Sequence, residues 1–350
     1  MRWLLGFVVA IIAGTGLLLV LPAPIDPVSW TPDPNPGLTG PFEPNRQLAE
    51  AELLLEGVGV GPEDVACAPG GGYYTGFEDG RIVLFDAAGT YTELVNTGGR
   101  PLGMQFDAQR HLIVADGIRG LLDISGQGDI KVLTDSVAGE KMLFVDDLDI
   151  AADGTIWFSD ASTRHGYANS MYDFLEGQPT GRLLSYDPAS GETRVRLDKL
   201  FFANGVALGP DDEYVLVNET GAGRIHRLWL KGAKAGQRDL FASGLPGTPD
   251  NISFNGRDTF WVAMPMLRSA ADALAGYPLV RKLLSHLPVE SLGAGVTPYS
   301  FVVGLDLNGE VVQNLQDIDA GFHMITSANE CDGSLYLGSV MMPAVGRYPL

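Results

Sequence analysis

The sequence predicts an all-β fold, a six-bladed β-propeller with an N-terminal transmembrane helix and a helical insertion. Two observations carry the propeller. Six phrases of one kind recur, each leading into a strand, a turn and a second strand, and they begin at residues 62, 101, 145, 203, 249 and 324. The intervals are 39, 44, 58, 46 and 75 residues. Propeller blades run to about 40–50 residues, so the two long intervals are blades carrying insertions. The 45 glycines and 22 prolines supply the turns such a fold needs. A β-sandwich would also use short strands, but it does not explain the recurrence.

Residues 1–25 form a separate segment. No charge falls between Arg2 and Asp26, and residues 4–21 are almost wholly apolar. A membrane helix needs about 20 such residues. Arg2, on the N-terminal side, keeps that end in the cytoplasm and sends the rest to the other face, the periplasm if the source is bacterial. A cleaved signal peptide is the alternative. The long apolar run and the Pro22-Ala23-Pro24 exit favour an uncleaved anchor.

Residues 26–44, rich in Pro, Asp and Asn, read as a tether. Residues 46–56 place Leu48, Leu53, Leu54 and Leu55 among Ala and Glu and suggest a short helix. Residues 45–350 hold the propeller. Within it, residues 266–298 have helical spacing, and this insertion is placed between blades 5 and 6. Leu267, Ala271, Leu274, Leu279, Val280, Leu283, Leu284 and Leu287 would form apolar stripes, with Arg281, Lys282 and His286 on the other face. Such a loop could cover the propeller mouth, touch a bilayer or pack on the flank.

The formal charge of −20 argues against nucleic acid, which needs Lys and Arg, and suits cations. Cys67 and Cys331 sit near opposite ends of the folded region. Export would permit a disulfide, but two buried free thiols are the favoured expectation.

In a propeller the inner strands line a central channel, and the residues that begin them ring one end. Glu63, Asp146, Asn204 and Asp250 stand at equivalent positions of four blades. Ca²⁺ takes six to eight oxygen ligands. No Cys or second His joins the set, which argues against zinc and copper. Asp and Asn also open turns for backbone reasons, so any one position has that ordinary explanation. The four together favour a cation. Asp64, Asp147 and Asn251 directly follow three of them and alternate in direction along the strand. They would brace the site or reach a second, deeper ion. A metal here would polarise an ester or lactone carbonyl while Asp250 activates water. No Gly-x-Ser-x-Gly elbow accompanies a plausible triad.

Gly61-Pro62-Glu63-Asp64, Gly99-Arg100-Pro101-Leu102-Gly103, Phe202-Ala203-Asn204-Gly205-Val206-Ala207 and Leu245-Pro246-Gly247-Thr248-Pro249-Asp250-Asn251-Ile252 together resemble the strictosidine synthase-like family. The wider gluconolactonase–paraoxonase superfamily is similar. The resemblance covers about residues 45–350 and implies a six-bladed propeller. For the hydrolase branch it implies one catalytic Ca²⁺, with Glu63, Asp146, Asn204, Asp250 and Asn251 as metal residues. It also implies a second, structural ion near Asp64 and Asp147. Leu102 stands where paraoxonases carry a catalytic His, and His165 is the candidate to replace it, with His323 a further residue of the mouth. The plant synthases' last-blade Glu falls at Thr326, which disfavours Pictet–Spengler condensation. The resulting expectation is a calcium-dependent esterase or lactonase acting on a small molecule. Its rival is a catalytically silent propeller that binds a ligand or partner.

Overall fold

The computed structural model describes residues 18, 21–292 and 297–350. Six four-stranded antiparallel sheets form the blades. Their inner strands are Val65–Cys67, Pro101–Phe106, Val145–Ile150, Ala203–Leu208, Ile252–Phe254 and Ile325–Cys331, one for each recurring phrase. Consecutive inner strands lie side by side around the channel.

Blades adhere through apolar residues that alternate out of each sheet. Leu216, Ile225 and Phe241 of blade 4 meet Phe260, Val262 and Phe301 of blade 5 in one buried cluster. Each such side chain contributes about 1.5–3 kcal/mol when fully buried.

Residues 46–56 are not one helix. Gln47–Glu50 makes a single 3₁₀ turn, and Glu52–Leu54 becomes the outermost strand of blade 6. That strand pairs antiparallel with Val345–Pro349, Leu54 lying opposite Val345. Unpaired sheet edges are costly, so closing the ring overrides the local helical preference. A second closure lies further in. Cys67 and Cys331, on the inner strands of blades 1 and 6, form a disulfide with Cα atoms 6.1 Å apart. This corrects the expectation of free thiols, and Cys67 is not buried either.

Both long intervals hold insertions at the same place, between a blade's second and third strands. Blade 3 carries the helix Met171–Glu176 between Ile156–Asp160 and Gly181–Asp187. Blade 5 carries the short helices Ser269–Leu274, Pro278–Leu284 and Val289–Leu292 between Phe260–Ala263 and Ser300–Leu305. The larger insertion is therefore inside blade 5, not between blades 5 and 6. Antiparallel strands return at that loop to the end where the inner strands begin, so both insertions rise over the ring of recurring phrases.

The expected facing of the insertion is also corrected. Arg281 is buried, at 1% exposure, and Leu279 stands out at 62%. Arg281 is drawn inward by backbone carbonyls: its guanidinium donates to Leu274 O at 3.1 Å and Leu175 O at 2.6 Å, and it stacks on Trp30. A buried guanidinium needs such acceptors.

Residues 26–44 are a strap rather than a free tether. Val28 N donates to Glu176 O at 2.9 Å, and Arg268 Nη2 donates to Asp33 O at 2.7 Å. The expected anchor at residues 1–25 falls mostly outside the described residues. Among the described residues no helix is long and apolar enough to cross a membrane.

Candidate metal and substrate site in the propeller channel

The inner strands open on the channel, those of blades 1 and 5 starting two residues after the cavity residue, and the six blades deliver Glu63, Leu102, Asp146, Asn204, Asp250 and Thr326 to one cavity of about 430 Å³. Four of those strands shift register near their start, at Pro101/Met104, Val145/Leu148, Ala203/Val206 and Ile325/Ser327. Such irregularities re-aim side chains, here toward the axis.

The floor of the cavity is acidic and buried. Asn204 Nδ2 donates to Asp250 Oδ1 at 2.5 Å, and Asn251 Nδ2 donates to Glu63 Oε1 at 2.9 Å. Burial, then the nearby Asp146 and Asp250 charges, push the Glu63 carboxyl well up. Burial and Asp250 do the same to Asp146. Burial raises Asp250 to about 7, partly offset by the Asn204 bond. Three carboxyls that resist ionisation together are a site that favours a cation.

The oxygen atoms left over are the decisive feature. Glu63 Oε2, Asp146 Oδ2, Asn204 Oδ1 and Asn251 Oδ1 are buried without a hydrogen-bond partner. Buried polar atoms are rarely left unsatisfied, and four acceptors with no donor suit a hard cation. In chemistry the donor set fits calcium. Among the described residues no three His, Cys, Asp or Glu side chains are grouped to hold an ion, Glu63, Asp146 and Asp250 included.

The second layer does different work. Asp64 Oδ2 accepts from Met104 N at 2.9 Å and Oδ1 from Asn329 Nδ2 at 2.7 Å. Asp147 Oδ2 accepts from Val206 N and Oδ1 from Leu148 N, both at 2.8 Å. These carboxylates clip neighbouring blades, so their oxygens are engaged where a second ion was expected. Gly103 lets them pack, since a Cβ there would lie 2.4 Å from Asp147 Oδ1.

His165 does not line the cavity. Its Nε2 meets Glu176 Oε2 at 3.2 Å, and its ring lies edge-on to Tyr172. It braces the mouth helix, which corrects its reading as a proton carrier. His323 does line the cavity, with Nδ1 3.0 Å from Ala320 O.

Several residues escaped sequence reasoning. Arg100, fully buried, donates from Nη1 to Gly61 O at 2.8 Å and lowers the Glu63 carboxyl against its other neighbours. Thr326 Oγ1 donates to Glu63 O at 2.7 Å and fixes the strand that carries it. Glu219 Oε1 accepts from Phe201 N at 2.9 Å and so sets the wall at Phe202. Burial pushes the Glu219 carboxyl up, but bonds from His226 and Arg224 outweigh it and bring it to about 2. Above the floor the walls are apolar, including Phe144, Phe174, Phe202, Met266 and Met341.

The geometry can be set beside known proteins. The strictosidine synthase profile matches residues 146–233, and the strictosidine synthase-like N-terminal profile matches residues 40–85. Adipocyte plasma membrane-associated protein of Rattus norvegicus is 34% identical over 359 residues, covering 96% of this chain and 95% of that one. The chain belongs to the strictosidine synthase-like family. Protein strictosidine synthase-like 6 of Arabidopsis thaliana is 35% identical, covering 89% and 84% of the two chains. Among solved structures, a gluconolactonase from Xanthomonas campestris superposes with a TM-score of 0.64 at 19% identity, covering 95% of this chain and 99% of that one. A regucalcin from Agrobacterium tumefaciens gives 0.59 at 13% identity, covering 85% and 92%. At such identities these two likenesses establish the propeller fold alone. Within this family member, Glu330 is remote from the cavity floor. It accepts from Trp261 Nε1 at 3.1 Å and pairs with Arg257. Thr326 holds the blade 6 position of the ring.

Proposed function

We propose that this chain hydrolyses esters or lactones, with calcium held in the channel by Glu63, Asp146, Asn204, Asp250 and Asn251. The supporting observation is the set of four buried, unpartnered oxygens contributed by Glu63, Asp146, Asn204 and Asn251. Bound there, calcium would supply a Lewis acid for the substrate carbonyl. Asp250, which lines the cavity beside the other candidate ligands, is the carboxylate placed to take a proton from water. Arg100 restrains the protonation of Glu63 and Asp146. The apolar walls exclude water and take up an uncharged substrate. The gluconolactonase fold shared with the Xanthomonas protein is consistent with this chemistry. Thr326 at the blade 6 position argues against a synthase-type condensation.

Location follows from the same reading. Residues 4–21 would anchor the chain in a membrane, with the propeller on the non-cytoplasmic side. The Cys67–Cys331 bridge suits an oxidising compartment, and the rat relative is named for its membrane association.

A catalytically silent propeller that binds an apolar ligand is the second reading. It draws on Leu102, which lines the cavity at the ring position of blade 2 and carries no proton. Turnover of phenyl acetate and a lactone panel by the full chain, with added Ca²⁺ and with EDTA, separates the two. Hydrolysis that rises with Ca²⁺ and is lost in EDTA supports the hydrolase. Indifference of both hydrolysis and melting temperature to Ca²⁺ and EDTA rejects it.

A further inference from the structure

The blade 5 insertion turns its charge inward and its apolar side chains outward. Tyr277 and Leu279 are 61% and 62% exposed, and Val280 and Leu287 are also exposed, whereas Arg281 between them is buried. A helix facing water shows the reverse pattern. Exposed apolar residues gathered on one segment mark a contact surface.

The chain itself indicates what that surface meets. His286 Nε2 lies 3.0 Å from Leu18 O, so Leu18 of the apolar N-terminal run stands beside this insertion. Leu18, Leu21 and Val28 are exposed there as well. A bilayer that takes up Leu18 would meet the propeller at this face.

We propose that Tyr277, Leu279, Val280 and Leu287, with Leu21 and Val28, form a second membrane contact that seats the propeller in the bilayer interface. The inference rests on the anchor reading of residues 4–21. Apolar burial drives the contact, and Tyr277 suits the headgroup level, where amphipathic rings collect. A chain of formal charge −20 gains nothing from anionic lipid, so a zwitterionic surface suffices. The contact also orients the cavity. Pro265, Met266 and Pro298 of the same insertion line it, and the mouth helix Met171–Glu176 packs against Pro278–Leu284. The mouth consequently faces the membrane, and apolar substrates reach it from the lipid.

The test uses the full chain in phosphatidylcholine vesicles, with the native disulfide intact. A single NBD label is placed at Leu279→Cys or Leu287→Cys, and at Val132→Cys on the outer strand of blade 2 as a control. Melting curves check that each labelled protein is folded. Labels at 279 and 287 are expected to emit to the blue of the label at 132. Nitroxide lipids should quench them at least about threefold more than they quench that control. Equal quenching of all three labels by aqueous iodide overturns the proposal. Shielding of 279 from both iodide and nitroxide lipid also overturns it, since a protein then covers the patch. Flotation distinguishes the two readings: a chain that floats with vesicles while label 279 stays in water keeps its anchor and lacks the second contact. A chain that does not float loses the anchor reading itself.

Discussion

Asn251 donates to Glu63 at 2.9 Å across 188 residues of sequence and joins blade 5 to blade 1 at the channel floor. The bond occupies one Glu63 oxygen and leaves Oε2 buried and bare. Glu63→Gln keeps the shape but removes a charge that Asp146 and Asp250 oppose. It is therefore expected to abolish calcium-dependent stabilisation without lowering the melting temperature in EDTA. For the parent protein, saturation at a hundred times Kd is worth about 2.7 kcal/mol, a shift of a few degrees. Calorimetry with Ca²⁺ and with EDTA reads both. A variant that calcium still stabilises as fully as the parent would remove Glu63 from the ligand set.

Asp147 is predicted to act on stability rather than on calcium. Both its oxygens accept backbone amides, one from Val206 on the next blade. Asp147→Ala leaves those amides buried without partners, at a cost of about 1–3 kcal/mol each. Urea unfolding should show that loss equally with calcium and with EDTA. A loss confined to calcium-loaded protein would restore the second-ion reading.

The Cys67–Cys331 bridge closes a loop of 264 residues and fastens blade 1 to blade 6. A loop of that length constrains the unfolded chain strongly, by up to about 5 kcal/mol in the chain-entropy account. Cys67→Ser is expected to lower the urea midpoint substantially while leaving the blades formed by circular dichroism. An unchanged midpoint would mean that the terminal strand pairing alone closes the ring.

Four of the six ring residues were legible because strand alternation and blade recurrence are both local signals. Glu63, Asp146, Asn204 and Asp250 could be aligned by phrase, and one blade position carries each to one level of the channel. What escaped depends on partners distant in sequence. Arg281 looked like a surface residue because helical periodicity cannot show that carbonyls of Leu175 and Leu274 await it. Residues 52–54 looked helical because their pairing partner is almost 300 residues away. The roles of Asp64 and Asp147 could not be separated from ligation, since a carboxylate that clips amides and one that binds an ion have the same sequence. His165 failed for a related reason: the position of a loop histidine depends on the helix it packs against, here through Glu176.

Asp173 gives a pH dependence independent of any metal. It lies on the mouth helix, accepts from Ser162 Oγ at 2.7 Å through Oδ1, and leaves Oδ2 buried without a partner. Burial is the main cause that raises its carboxyl from 3.8 to about 7. The folded state thus holds its proton over a range where the unfolded state has released it. Stability from this group is fully present below about pH 4 and is lost as pH rises to about 7. The loss is of order 4 kcal/mol at most, from three pKa units at about 1.4 kcal/mol each. Asp173→Asn keeps an acceptor for Ser162 and cannot ionise. It should match the parent near pH 4 and exceed it at pH 8, by urea midpoint at each pH. Equal differences at both pH values would show that Asp173 is ionised in the folded protein, with its charge met by Arg164.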